Sequence, residues 1–160
     1  MIMKNKFLLV VVLVFNFAFA KMGTAQISAF TTEDIPGVYS KGFETTSESS
    51  KFNTSTKFTR SLTLSPNGRF EYHNFRQLKG QEAEHWWSRG SWTLEGKVVL
   101  FTTTEDDINE QYNIDLNNTK ARFFKKSHRN KSLKSQPTYI QFFESENGVV
   151  KHLKLPKIHE

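Results

Sequence analysis

The chain has 160 residues, with 22 Lys and Arg against 16 Asp and Glu, a formal net charge of +6, and 37% hydrophobic and 14% aromatic residues. It contains no cysteine, which excludes disulfide frameworks, thiolate-ligated zinc, iron–sulfur clusters, thiol nucleophiles and a lipidated N-terminal cysteine. The length is that of one domain.

Residues 1–6 carry Lys4 and Lys6, and residues 7–19 form an apolar run of about 13 residues broken only by Asn16. Ala18-Phe19-Ala20 follows the small-x-small rule, so residues 1–20 read as a cleaved signal peptide. Spanning a bilayer takes roughly 20 apolar residues, which makes a retained anchor the weaker reading. A second cut after Gly23-Thr24-Ala25 stays open. The expected location is therefore periplasmic or extracellular. Part of the positive charge leaves with Lys4 and Lys6. The remainder, about 140 residues, buries roughly two-thirds of its unfolded surface and needs no covalent staples.

Residues 21–35 are small and polar and read as a flexible lead-in to a single domain over 36–160. No long stretch shows apolar residues at helical spacing, whereas short alternating runs separated by Gly, Asn and Pro recur throughout. The domain is predicted to be all-β. A first strand covers 37–43, and residues 40–59, rich in Ser, Thr and Lys, read as a long loop or frayed edge.

Four hairpins follow. Residues 60–64 meet 69–75 across Pro66-Asn67-Gly68, where Asn-Gly supplies the positive φ angles of a tight turn. Residues 85–94 meet 97–103 across Glu95-Gly96, 111–116 meet 120–124 across Asn117-Asn118, and 138–144 meet 149–155 across Glu146-Asn147-Gly148. The result is an antiparallel up-and-down meander of eight or nine strands. Closing it into a barrel abolishes the exposed edges, so a closed or nearly closed barrel is favoured over a sandwich.

Alternation assigns faces, because successive strand side chains point to opposite sides. Leu62, Leu64, Phe70, Tyr72, Asn74, Trp86, Ser88, Trp92, Leu94, Tyr112, Ile114 and Leu116 are expected to point inward. Lys151 shares that parity on the last strand, with the alternative that the strand twists at the sheet edge and leaves it solvated. Glu71, His73, Arg89, Ser91 and Thr93 take the opposite parity and suit water. Residues 98–101 are apolar at both parities, as in a central or covered strand.

Gly37-Val38-Tyr39, then Ser61-Leu62-Thr63-Leu64 running to Asn67-Gly68-Arg69-Phe70, then Gly90-Ser91-Trp92 before Gly96 and Leu100, form a pattern. Over residues 36–101 it resembles the small secreted bacterial lipocalin-like barrels, in which Gly-x-Trp or Gly-x-Tyr precedes a Leu-x-Leu-x-x-x-Gly-x-Phe hairpin. The resemblance implies a barrel with room for a small molecule. The Cys-x-x-Cys pair of copper-responsive relatives is absent, so metal sensing is not implied.

Two functional readings follow. In the first, the lumen binds a small apolar or amphipathic molecule, with Tyr72, Trp86 and Trp92 as lining and Lys151 as an anchor. In the second, the outer surface holds a protein, cell-wall polymer or anionic membrane. Its basis is the stretch of Lys120, Arg122, Lys125, Lys126, Arg129, Lys131 and Lys134, interleaved with Phe123 and Phe124 and assisted by an exposed or rim Trp87. The plain alternative for that stretch is a strand with a polar outer face and a solvated loop. Export disfavours nucleic acid.

Glu105-Asp106-Asp107 with Glu110 is an acidic loop that lacks the glycine and terminal glutamate of a calcium loop, and it reads as solvated. Glu82, Glu84 and His85 are the best acid–base cluster available, but on a strand Glu84 and His85 point apart. No nucleophile elbow, zinc-protease motif, phosphate loop or dinucleotide fingerprint exists. The expectation is a binding protein that is not an enzyme and has no cofactor. Its oligomeric state is left open by the sequence.

Overall fold

The computed structural model describes residues 30–49, 52–126 and 136–158. The expected signal peptide, the start of the lead-in and Arg129 lie outside the described residues. Eight antiparallel strands run in chain order: β1 (Gly37–Ser49), β2 (Phe52–Leu64), β3 (Arg69–Leu78), β4 (Glu84–Glu95), β5 (Val98–Thr102), β6 (Thr119–Phe124), β7 (Tyr139–Glu144) and β8 (Lys154–Ile158). Each pairs with the next, and β8 returns to β1, so the meander closes into a barrel. The predicted all-β, up-and-down barrel is what forms.

The alternation in the sequence produces the core directly. On β3 the burial alternates from Phe70 through Tyr72 to Asn74, while Glu71 is exposed. Leu62, Tyr72, Phe101, Phe142 and Leu155 are fully buried together in the interior. Burial of side chains of this size contributes about 1.5–3 kcal/mol each, which is why one face of every strand turns inward. Between β2 and β3 the turn has Gly68 at φ 79°, and Gly68 N–H donates to the Ser65 carbonyl at 3.1 Å.

Several expectations are corrected. Residues 40–59 are not a loop but most of the β1–β2 hairpin, paired from Gly37↔Leu64 out to Ser49↔Phe52. Residues 111–116 form no strand. They run extended beside the start of β4, tied by Ile114 N–H to the Trp87 carbonyl at 2.9 Å, where β5 is too short to pair. Ile114 and Leu116 point inward as expected, but Tyr112 lies outside, donating its hydroxyl to Glu71 at 3.0 Å. Residues 149–152 are a turn rather than the start of the last strand. That leaves eight strands, within the eight or nine expected.

The two barrel ends differ. Of the expected lead-in, residues 30–35 are described, and they plug the end where β1 begins. Ile35 is fully buried, its carbonyl accepts a hydrogen bond from the Tyr39 hydroxyl, and the Phe30 ring meets Phe123 edge-on at 4.8 Å. By the up-and-down topology the opposite end is framed by the β3–β4 turn, the 103–118 segment and the 145–153 turn. Among the described residues that end holds an open cavity.

Candidate functional site

The register stacks inward side chains in layers. Leu62, Tyr72 and Ser88 face one another across β2, β3 and β4 as one layer. Toward the open end the next layer is Lys41, Arg60, Asn74 and Trp86, and the rim layer is Phe43, Phe58, Arg76 and Glu84. A cavity of about 370 Å³ occupies the upper two layers. Phe58, Trp86, Ile114 and Val149 form its apolar walls, and Arg60, Arg76 and Asn74 its polar side. A volume of that size lies toward the small end of ligand pockets.

In the cavity wall at Asn74 and in the layer below it the polar inventory is unsatisfied. The Tyr72 hydroxyl, Asn74 Oδ1 and Ser88 Oγ are buried and have no hydrogen-bond partner among the described residues. Tyr72 and Ser88 are fully buried and Asn74 is 8% exposed. An orphaned polar atom of this kind costs about 1–3 kcal/mol, so three together in one place call for an explanation. Burial pushes the Tyr72 hydroxyl up to about 12, with the Arg60 charge pulling the other way. It is therefore a neutral donor at any physiological pH.

The cations at the mouth are not equivalent. Arg76 is held by an ion pair with Glu84 and lies 5.5 Å from the centre of the Trp86 ring. That bond keeps the Glu84 carboxyl below the usual carboxylate range. Arg60 is half-buried and has no ion pair or hydrogen bond among the described residues. Its β1 neighbour on the same face is another cation, Lys41.

The structure sorts the residues expected from sequence. Trp86 lines the cavity and Tyr72 is buried in the layer below it, whereas Trp92 sits in the filled part of the barrel with its indole N–H on the Ser65 carbonyl at 3.1 Å. Lys151 is not in the lumen: it is exposed on the 149–152 turn, before β8 begins, so the strand parity that placed it inward does not apply. Arg60, Arg76, Phe58 and Val149 were not expected. Arg60 could have been found by continuing the Leu64, Leu62 alternation one step toward the N-terminus, and Arg76 by extending Tyr72, Asn74.

The surface candidates are largely engaged already. Lys120 pairs with Glu144 at 2.8 Å, Lys125 with Asp34 at 2.7 Å, and Arg122 lies 5.3 Å from the Phe143 ring centre. Lys126 is exposed, with its backbone N–H on Thr138. Trp87 is half-buried outside the barrel, with His73 stacked on it at 3.7 Å. His85 joins His73 through a 3.0 Å ring hydrogen bond, while Glu84 turns to the inner face, so the two do not converge. Asp107 is buried rather than solvated. Burial pushes its carboxyl up, but hydrogen bonds from Arg69 at 2.5 Å and from Thr104 outweigh this and hold it below the usual range. No group of three metal-ligating side chains occurs among the described residues.

No protein-family model, curated protein or solved structure matches this chain. The class is set by the fold alone: an eight-stranded antiparallel barrel, compatible with a lipocalin-like architecture.

Proposed function

We propose that this is an exported lipocalin-like binding protein, not an enzyme, which takes a small apolar or amphipathic molecule into the open end of its barrel. The observation that carries the reading is the 370 Å³ cavity, walled by Phe58, Trp86, Ile114 and Val149, at the unplugged end. Apolar walls of this kind gain by excluding water, and a few convergent polar groups orient what they hold. The basic surface stretch supports a partner less well, because Lys120 and Lys125 already have carboxylate partners.

Native mass spectrometry of the protein purified from its host tests the reading, together with titration of a neutral apolar dye, N-phenyl-1-naphthylamine. The expected result is a one-to-one adduct or one-to-one dye binding, abolished when Ile114→Trp fills the cavity. A bare mass combined with no dye binding to the wild-type protein overturns it.

A further inference from the structure

The open end is unusual for an apolar pocket in what lies under it. Arg60 carries a charge that nothing among the described residues neutralises, and Lys41 beside it on β1 adds a second. Asn74 Oδ1 in the Arg60 layer, and the Tyr72 hydroxyl and Ser88 Oγ one layer down, are buried without partners among the described residues. A pocket built for a purely apolar molecule gains nothing from these groups, because each loses its water without replacement.

We propose that the cavity takes a single-chain amphipathic anion, with a carboxylate or similar head on Arg60 and an apolar tail along Phe58, Trp86, Ile114 and Val149. The inference rests on the lumen reading above and adds the chemistry of the ligand. Arg60 supplies charge-assisted hydrogen bonds. The Tyr72 and Ser88 hydroxyls one layer below are unpartnered donors, and the Asn74 amide beside Arg60 offers its N–H₂ or its oxygen as the head requires. Arg76 contributes less, because Glu84 occupies it. The head is thus drawn below the rim, toward Arg60, and the tail lies between head and mouth. A ligand of this kind satisfies at once the free cation and the orphaned floor.

The test compares decanoate, decanol and decyltrimethylammonium as competitors of N-phenyl-1-naphthylamine on the full-length protein. Decanoate ion is far better solvated by water than decanol, so an apolar pocket without the cationic floor prefers the alcohol. The expected order is decanoate tightest, by roughly tenfold or more over decanol, with the cationic amphiphile weakest. Arg60→Gln should bring decanoate to the level of decanol or below while leaving decanol unchanged. Equal or tighter binding of decanol to the wild-type protein overturns the anion inference and leaves the lumen reading intact. Failure of the dye and all three amphiphiles to bind overturns both. The wild-type comparison needs no variant, so a misfolded Arg60→Gln protein leaves the test decisive.

Discussion

Gly90 illustrates how closely this barrel is drawn together at single residues. A Cβ at position 90 would lie 2.3 Å from the Thr102 carbonyl oxygen and 2.7 Å from the Phe70 ring. Backbone cannot yield to such an approach without moving β5, so at Gly90 β4 passes too close to its neighbours for a side chain. Gly90→Ala should destabilise the protein by about 1–3 kcal/mol, as overpacking does. Urea melts check this, and a change below about 0.5 kcal/mol, the range of ordinary surface substitutions, would show that the strands part more easily than their packing implies. In the sequence this glycine was visible only as part of Gly90-Ser91-Trp92, with no sign of which atoms crowd it. Arg60 was hidden differently: a charged residue breaks an apolar alternation, and the eye stops at Leu62, although the backbone keeps the same period.

At the scale of elements, alternation reported faces well and pairing less well. Phe70, Tyr72, Asn74 and Ser88 turned inward as their parity required. Residues 111–116 kept their inward Ile114 and Leu116 without a ladder, because burial acts on side chains whether or not the backbone is paired. The β1–β2 hairpin was missed for the opposite reason. Toward its tip no apolar face is printed in the sequence, and its pairing joins polar residues such as Thr45↔Thr56. Threonine suits a strand through its β-branch, but its polarity reads as loop. Lys151 fell to an assumed start of β8 at residue 149, five residues too early.

The β3–β4 pair also carries a pH response. His73 lies between Trp87 and His85, and its pKa is lowered from 6.5 first by burial and then by the His85 charge, with Glu71 opposing. A histidine with a depressed folded pKa takes its proton more readily when unfolded. Stability is therefore full above the unfolded value and falls as pH drops through 6.5 toward the folded value. His73→Phe keeps a ring on Trp87 and removes the titration. The expected outcome is a midpoint that falls less than in the wild type between about pH 7 and 5; parallel slopes for the two proteins would exclude His73 as their source.

For the whole molecule, the unequal seams decide how the barrel opens. β1 and β2 pair along 13 residues each, whereas β1 meets β8 only at Val38↔Ile158 and Tyr39↔Lys157 among the described residues. That short seam is supported from the plugged end: the Lys157 ammonium donates to the Asp34 carbonyl at 2.8 Å, and the Asp34 carboxylate holds Lys125 at 2.7 Å. The Lys125 hydrogen bond first, then the one from the Thr31 N–H, keeps the Asp34 carboxyl below its ordinary value. Cooperative units with few shared hydrogen bonds open at lower free energy than the rest of a structure. Native-state hydrogen exchange should therefore show peptides over 139–158 exchanging through a smaller opening than peptides over 60–76. Asp34→Ala should speed the first set further and leave the second unchanged, since it releases both Lys125 and the turn at Thr31 without touching β2 or β3. Ligand held between Arg60 and Val149 bridges the long hairpin and the 145–153 turn, so decanoate should slow exchange over 139–158 more than over 60–76. Uniform protection across both sets, unmoved by Asp34→Ala, would mean that the eight strands open as one unit and that the short seam is no weaker than the long one.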